Sequence, residues 1–189
     1  MSLSSPSLVL PRIVGLSGYA RSGKDTVANY LVEHHGYRRV AFADTLKRFV
    51  ASIYPDIGSR VEAVGWEAAK EQLEVRQALQ RVGTLARHHI HPDIWVMPLL
   101  PNLSDPDARL VVSDVRFPNE AAFVQNQGGP VIRINRPGVL PAGNDVTDTS
   151  LDTFDGFFAV LENDGTLDDL YAKAESAMRS WSEQVVRGG

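Results

Sequence analysis

The chain has 189 residues, 43% of them hydrophobic and 22% charged, with a net charge of −4 at pH 7 and no cysteine. These values exclude disulfide bonds, thiolate metal sites and thiol nucleophiles, and they favour neither a nucleic-acid polymer nor a membrane surface as a partner. No apolar run approaches the ~20 residues that a membrane-spanning helix needs. We therefore expect a cytoplasmic protein with a disordered tail over residues 1–10 and a single domain over residues 11–189.

A strand, a glycine loop and a helix are predicted in succession after the tail. Ile13-Val14-Gly15-Leu16 is an apolar run typical of a buried parallel strand, and Gly18 and Gly23 lie in the segment that follows. Lys24 comes next, at the start of a segment whose apolar residues have helical spacing. This order indicates a phosphate-binding loop, because glycines let backbone N–H groups face an anion and the helix N-terminus adds its positive dipole end. The alternative is a glycine turn whose lysine has no ligand.

The residue after Lys24 departs from the usual pattern of such loops. Asp25 stands where Ser or Thr commonly offers a hydroxyl to Mg²⁺, and Thr26 follows it. A carboxylate holds Mg²⁺ either directly or through water, and the sequence leaves that choice open. We expect Asp25 and Thr26 to lie at a magnesium site together with Asp114, which follows the apolar run Leu110-Val111-Val112-Ser113.

A second strand and two helical segments are predicted next. The strand covers Arg39–Phe42 and a helix begins at Ala43, so that Asp44 lies at a strand-to-helix corner. At such a corner Asp44 serves as a ligand contact or as a helix N-cap, and the two roles are compatible. Residues 55–70, with Gly65-Trp66-Glu67 near their end, are expected to be irregular, whereas helical spacing of apolar residues begins at Glu71.

One stripe of the helix that begins at Glu71 combines an arginine and a glycine. Arg76 and Gly83 are two turns apart on the same side. A glycine inside a helix costs about 1 kcal/mol relative to alanine, so either another group approaches it closely or the helix breaks there. With Gln77 and Thr84 these residues are expected to form a face for an anionic, planar ligand. A solvated helix face with a kink is the alternative.

Three histidines and a tryptophan follow this helix. His88, His89 and His91 are explained adequately as cations that close a helix C-terminus, and a metal site is weakly supported because no carboxylate has matching spacing. Trp95 is, by its type, more often a core residue than a platform for a ligand.

The second half of the chain predicts further strands and a second acidic corner. Asp114, Arg116 and Glu120 lie there as part of a ligand site or as a salt-bridge cluster. Strands are predicted over residues 131–135 and 157–161, with a surface flap over residues 138–153 between them. Thr166 and Asp169 form a capping-box-like start of the last helix. Strands separated by helices predict an α/β fold with a parallel sheet and helices on both faces.

Together these segments resemble the phage-type deoxynucleoside monophosphate kinases, which are relatives of the P-loop nucleoside monophosphate kinases. The resemblance covers most of the chain, and the Lys-Asp-Thr variant of the loop is one of its marks. It rests on Ser17-Gly18 with Arg21-Ser22-Gly23-Lys24-Asp25-Thr26, Phe42-Ala43-Asp44 with Leu46-Lys47, Arg76-Gln77-Ala78-Leu79-Gln80 with Gly83-Thr84, Trp95, Asp114-Val115-Arg116 with Glu120, Arg136-Pro137-Gly138, and Asn163-Asp164-Gly165-Thr166.

The resemblance implies a P-loop kinase fold of about five strands with a short lid near residues 137–153. It implies transfer of a phosphoryl group from ATP to a deoxynucleoside monophosphate with Mg²⁺ as cofactor, and it leaves a homodimer open. The implied ATP contacts are Gly18, Arg21, Ser22, Gly23, Lys24, Asp25, Thr26, Asn163 and Gly165. The implied acceptor contacts are Asp44, Lys47, Arg76, Gln77, Gly83, Thr84, Trp95, Asp114, Arg116 and Glu120. The cations expected at the transferred phosphoryl group are Lys24, Arg116 and Arg136.

The chain departs from the family pattern in two places. Asp148-Thr149-Ser150-Leu151 stands where relatives tend to show a His-x-Ser-Glu-like run, and the segment before the Arg76 helix is short, which leaves base specificity open. The phosphate loop alone also suits a dephospho-coenzyme A kinase or a phosphomevalonate kinase, although Arg76 and Trp95 favour a nucleotide acceptor. A nucleotide-dependent switch protein without an acceptor is a third hypothesis from a different class.

Overall fold

A five-stranded sheet with the order β2-β3-β1-β4-β5 forms the centre of the computed structural model, which describes residues 9–141 and 149–188. The strands are β1 (Ile13–Ser17), β2 (Arg38–Val40), β3 (Leu110–Val112), β4 (Val131–Asn135) and β5 (Ala159–Glu162). Strand β1 pairs in parallel with β3 and β4, and β4 pairs in parallel with β5. The predicted α/β fold with a parallel sheet is confirmed.

Six α-helices and one 3₁₀ helix accompany the sheet in the described residues. They are α1 (Lys24–His35), α2 (Ala43–Ile53), α3 (Pro55–Ala69), α4 (Leu73–His89), the 3₁₀ helix Met97–Leu103, α5 (Pro118–Asn126) and α6 (Leu167–Gly188). Helix α1 ends at Gly36, whose φ of 69° gives the left-handed C-terminal conformation that its position predicts. None of the described helices is long and apolar enough to cross a membrane.

Alternate residues of β1 face different helices. Val14 and Leu16 belong to a buried cluster that also contains residues of α1 and α6, among them Leu31 and Met178. Gly15 points the other way, where an added Cβ would lie 3.0 Å from Val115 and 3.1 Å from Val124 of α5. Because side chains alternate along a strand, this single element requires helices on both faces of the sheet.

The chain clusters into two compact units. The first, which we call the sheet unit, comprises the chain up to Arg39 and from Asp105 onward; the second, the helical unit, comprises Val40–Ser104. Helices α1, α5 and α6 belong to the sheet unit, and α2, α3 and α4 belong to the helical unit. The single domain over residues 11–189 stays a prediction. Residues 1–8 of the predicted tail and residues 142–148 of the predicted lid lie outside the described residues.

The expectation of an irregular segment over residues 55–70 is wrong, because most of it forms α3. Pro55 stands in the first turn, where its fixed φ favours a helix start. Only Ala69 of this helix is buried, and Gly65 interrupts it with a φ of 77°. Ile57, Val61 and Val64 have helical spacing, but Gly58 and Gly65 lie within the same segment. Glycine disfavours a helix interior, which is why an irregular structure was expected from the sequence. Strand β2 also ends at Val40 instead of Phe42, since α2 begins at Ala43.

Candidate functional site

The loop between β1 and α1 has a backbone that only glycine can supply at two positions. Gly18 has a φ of 135° and Gly23 a φ of 112°. A Cβ on Gly18 would lie 2.2 Å from the Ile134 carbonyl oxygen, and a Cβ on Gly23 would lie 2.7 Å from the Asn163 amide nitrogen. Arg21 has a φ of 66°, which is uncommon for a residue with a side chain. The tertiary surroundings therefore hold the loop in a high-energy conformation, as is common at binding sites.

Two side chains of the loop region present polar groups suited to an anion. The Lys24 ammonium group donates to the carbonyl oxygens of Gly18 at 2.7 Å and Tyr19 at 2.6 Å, so it spans the loop. Ser22 is 1% exposed, and its hydroxyl has no hydrogen-bond partner within the described residues. A buried hydroxyl without a partner is destabilising by about 1–3 kcal/mol. An oxygen atom of a bound ligand would satisfy it.

The residues that directly follow β4 and β5 donate hydrogen bonds to the loop between β1 and α1. The Asn163 side-chain amide donates to the Ser22 carbonyl oxygen at 2.8 Å, and its backbone N–H donates to Asn135 at 2.7 Å. The Arg136 guanidinium lies 3.5 Å from the Arg21 carbonyl oxygen, with which it forms a long hydrogen bond. The fold thus brings Asn163 and Arg136, both named from the sequence, to the loop between β1 and α1.

The turn after Asn163 is fixed by the capping box that the sequence predicts. The Asp169 carboxylate accepts hydrogen bonds from the Thr166 N–H and hydroxyl, each at 2.8 Å, and the Asp169 N–H donates to the Thr166 hydroxyl oxygen at 3.2 Å. These bonds lower the pKa of the Asp169 carboxyl group from its ordinary value. A Cβ on Gly165 would lie 2.5 Å from this carboxylate, so the turn leaves no room for a side chain there.

Asp25 is exposed in the first turn of α1 and is paired with an arginine that the sequence did not single out. Arg39 donates to the Asp25 carboxylate and, through Nε, to the buried Ser113 hydroxyl at 3.1 Å. The Val115 N–H bonds to the Leu16 carbonyl oxygen at 3.0 Å, which fixes the turn containing Asp114 beside the end of β1. Arg39 therefore joins the start of α1 to the end of β3, the two places where the predicted metal ligands lie.

No group of three or more His, Cys, Asp or Glu side chains suited to a metal occurs in the described part of the chain. The predicted set of Asp25, Thr26 and Asp114 contains two carboxylates and one hydroxyl, and it stays a prediction. His88 and His89 lie in the last turn of α4, the helix C-terminus at which the sequence places them.

Glu120 is 1% exposed and acts on the backbone. Its carboxylate accepts the N–H groups of Arg116 at 2.8 Å and Phe117 at 3.2 Å, at the start of α5. This places a negative charge at the positive end of the helix and satisfies two donors that would otherwise need partners. Glu120 thereby fixes the backbone of Arg116, whose side chain is exposed.

In the helical unit, Asp44 is not the N-cap of α2. The helix begins at Ala43 and the capping position is Phe42, so Asp44 lies in the first turn. Its carboxylate is 3.6 Å from the Lys47 ammonium group, one turn along the same helix. The two implied acceptor contacts are therefore neighbours on one surface of α2.

Helix α4 continues without a break through Gly83, and a close neighbour explains the glycine. A Cβ there would lie 3.1 Å from the Leu46 side chain. The Trp95 indole N–H donates to the Gly83 carbonyl oxygen at 3.2 Å, and Trp95 packs near Phe49 with ring centroids 6.2 Å apart. Trp95 is 4% exposed and belongs to the core. Its implied contact with a ligand stays a prediction.

The other implied acceptor contacts of α4 are exposed. Arg76, Gln77 and Thr84 all lie at the surface. Gln77 borders a cleft of about 800 Å³ in the helical unit, formed by the start of α3 and one face of α4. The cleft is lined by Tyr54, Pro55, Asp56, Ile57, Ser59, Arg60, Glu74, Gln77, Ala78 and Arg81. The structure thus divides the predicted face: Gln77 borders the cleft, whereas Gly83 packs against Leu46.

The sequence of the chain is similar to known proteins. A model of the family described as "Deoxynucleotide monophosphate kinase" matches residues 59–174. A protein of Acanthamoeba polyphaga mimivirus named "Putative deoxynucleotide monophosphate kinase" is 30% identical, over 90% of this chain and 98% of its own length. "Uncharacterized protein ORF76" of Ictalurid herpesvirus 1 (strain Auburn) is 26% identical, over 90% of this chain and 68% of its own length.

Two solved structures share the fold at low sequence identity. A gluconokinase from Sinorhizobium meliloti 1021 has a TM-score of 0.55 at 12% identity, covering 95% of this chain and 98% of its own. A dephospho-CoA kinase from Campylobacter jejuni has the same TM-score and identity, covering 93% of this chain and 99% of its own. At this identity the likeness establishes the architecture alone.

Proposed function

The chain belongs to the deoxynucleotide monophosphate kinase family, and on that premise we propose that it transfers the γ-phosphoryl group of ATP to a deoxynucleoside monophosphate. The products are ADP and a deoxynucleoside diphosphate. Family membership already makes the protein a phosphotransferase. The observation that carries the finer proposal is the loop between β1 and α1, with its two left-handed glycines, its spanning lysine and its buried serine hydroxyl.

The ATP phosphates are assigned to this loop because its polar groups match an anion. Backbone N–H groups at the start of α1 and the Lys24 charge favour negative oxygens. The Ser22 hydroxyl gains a partner when a phosphate oxygen binds. The assigned loop contacts are Gly18, Arg21, Ser22, Gly23 and Lys24, and Asn163 and Gly165 complete the set from the turn after β5.

Mg²⁺ fits the side chains that the fold provides beside the loop. Carboxylate and hydroxyl oxygens are the ligands that this ion prefers, and Asp25, Thr26 and Asp114 supply them. When bound, Mg²⁺ neutralises charge on the β- and γ-phosphate oxygens. Arg39 pairs with Asp25, so Asp25 would hold the ion directly only after leaving that pair, and would otherwise hold it through water.

Phosphoryl transfer demands positioning and charge neutralisation more than covalent chemistry from the protein. Lys24 and Arg136 lie at the loop and would neutralise the transferred group, while Arg116 would do so from the start of α5. Glu120 holds the Arg116 backbone in place for this role. Water must be kept out to prevent ATP hydrolysis, a role that we assign to the segment near residues 137–153.

The acceptor is assigned to the helical unit. Arg76 is exposed on α4 and would bind the acceptor phosphate through its planar fork of donors, which lysine does not reproduce. Asp44, Lys47, Gln77, Gly83, Thr84 and Trp95 are the other acceptor contacts in this proposal. Arg76→Lys is expected to raise the KM for the deoxynucleotide while leaving the KM for ATP nearly unchanged.

An acceptor screen tests the proposal directly. ADP release is followed with ATP, Mg²⁺ and each deoxy- or ribonucleoside monophosphate in turn, with dephospho-coenzyme A and phosphomevalonate as acceptors from the competing hypotheses. We expect ADP formation to depend strictly on an added deoxynucleotide. Turnover without any acceptor would favour a nucleotide switch. Turnover with dephospho-coenzyme A as the only active acceptor would indicate a dephospho-coenzyme A kinase instead. The cytoplasmic location and the homodimer stay predictions. Analytical ultracentrifugation, which measures the mass of the particle in solution, tests the homodimer.

A further inference from the structure

A charged residue lies in the middle of β4, where the neighbouring side chains are buried. Arg133 has a side chain only 13% exposed, between the buried residues Ile132 and Ile134. All three of its donor groups are used: Nη2 donates to Asp152 at 2.7 Å, Nη1 to the Leu151 carbonyl oxygen at 3.1 Å, and Nε to Asn135 at 3.1 Å. This arginine therefore fixes the segment around Asp152 to the sheet.

The same carboxylate holds a residue of the phosphate loop. Asp152 accepts Arg133 on one oxygen, and on the other it accepts the Tyr19 hydroxyl at 2.8 Å. The Arg133 guanidinium also lies 5.2 Å from the centre of the Tyr19 ring, within the range of a cation–π interaction. The hydrogen bond to Asp152 raises the pKa of Tyr19, so the hydroxyl remains a donor.

Tyr19 connects this network to the groups that would contact phosphate. Its carbonyl oxygen accepts the Lys24 ammonium group at 2.6 Å and the Ser22 N–H at 3.2 Å. The side chain of Tyr19 is thus bound from outside the loop, and its backbone is bound from inside. Between Gly18 and Arg21, both of which have positive φ, Tyr19 is the residue with a side-chain anchor.

We propose that Arg133 and Asp152 are positioning residues for the kinase reaction: through the Tyr19 hydroxyl they hold the phosphate loop in the conformation that receives ATP. The proposal rests on the function proposed above. A loop with an unfavourable backbone relaxes when an anchor is lost, and ATP must then reorder it on binding. The anchor therefore acts on ATP affinity without touching ATP.

Tyr19→Phe tests the anchor, because it removes one hydroxyl and keeps the ring over Arg133. We expect the Kd of a non-hydrolysable ATP analogue, measured by calorimetry, to rise about three- to tenfold, as for the loss of one hydrogen bond. The KM for ATP should rise in parallel, and the KM for the deoxynucleotide should not change. Tyr30→Phe is the matched control, since the Tyr30 hydroxyl also donates to a carboxylate, that of Glu175, at 3.4 Å. It should leave the Kd unchanged.

A double-mutant cycle separates positioning from general stability. Asp152→Ala should weaken binding of the analogue by a similar factor or more, since it also removes the partner of Arg133. Adding Tyr19→Phe to it should weaken binding no further, because both changes break the same Tyr19–Asp152 bond. Fully additive effects, or a parental Kd in Tyr19→Phe, would overturn the inference. A lower melting temperature with a parental Kd would overturn it too, by making the network purely structural. Absence of analogue binding in the parent protein would instead refute the proposed ATP site itself.

Discussion

The phosphate loop and helix α4 both need glycine, but for different physical reasons. Gly18 in the loop has a φ of 135°, and the group nearest to a Cβ there is the Ile134 carbonyl oxygen, which belongs to a strand and cannot rotate away. Gly83 in α4 lies within a regular helix, and the group nearest to its Cβ position is the flexible end of the Leu46 side chain. Position 18 therefore excludes every side chain, whereas position 83 excludes only large ones.

The loop and helix α4 also differ in how their candidate contact residues are held. Lys24, Asn163 and Arg136 all donate to carbonyl oxygens of the phosphate loop, so polar contacts shape it. In α4 the candidate contact Arg76 is exposed, and Trp95 packs beneath the helix in the core. Loss of a polar side chain at the loop should thus alter function with the fold intact, and loss of the buried side chain beneath α4 should alter stability first.

The largest effect on stability is expected from Trp95→Ala. Loss of a buried tryptophan and of its bond to Gly83 should lower the free energy of unfolding by about 3–5 kcal/mol, measured by chemical denaturation. Trp66→Ala, in the half-buried tryptophan of α3, is the control and should have a smaller effect. Thermal melts with and without deoxynucleotide then decide the role of Trp95. If the variant keeps its ligand-induced shift, Trp95 is a core residue and not a ligand contact.

The loop should show the opposite behaviour in Lys24→Ala. We expect kcat/KM to fall by a factor that corresponds to a loss of about 3 kcal/mol or more of transition-state stabilisation, as for other preorganised electrostatic contacts. The free energy of unfolding should change little. Lys70→Ala provides the control, because Lys70 pairs with Glu67 on the surface of the helical unit. Turnover of Lys24→Ala within about threefold of the parent would remove the phosphate-loop assignment.

Matched alanine substitutions at the two glycines sharpen the comparison further. Gly18→Ala should be destabilising by about 2 kcal/mol and should weaken ATP-analogue binding, because alanine is strained at positive φ. Gly83→Ala should change stability by less than about 1 kcal/mol, since the helical preference of alanine offsets crowding against Leu46. Unfolding curves for both variants measure this difference. Equal losses would mean that the loop and the helix need glycine for the same reason.

The smallest effect is expected at the predicted metal site. Asp25→Ala should raise the Mg²⁺ concentration needed for half-maximal activity about tenfold, while Asp25→Ser, which restores the commoner hydroxyl, should keep partial activity. Asp168→Ala is the control, because Asp168 also lies in the first turn of a helix, α6. An unchanged Mg²⁺ titration for Asp25→Ala would leave that carboxylate solely as the partner of Arg39.

Parts of the candidate site could be predicted from the sequence because local chemistry encodes them. Gly18 and Gly23 before Lys24 permit a turn with positive φ, and the apolar run before them favours a buried strand. The Thr166–Asp169 capping box is likewise set by residues three apart, and β4 appears at the predicted residues 131–135. Helical spacing also predicted the stripe of Arg76 and Gly83 on α4, and the family resemblance added its assignment to the acceptor, which stays a prediction.

Tertiary structure alone decided which residues distant in sequence form hydrogen bonds with these local elements. Asn163 binds the Ser22 carbonyl oxygen across 141 positions of sequence, and Asp152 binds Tyr19 across 133. Helix α3 also required the fold, since it buries only Ala69 and includes Gly58 and Gly65. Sequence patterns record φ preferences and the spacing of apolar residues within a few turns. The side chains that meet across parallel strands depend on the strand order β2-β3-β1-β4-β5, which only the packed sheet determines.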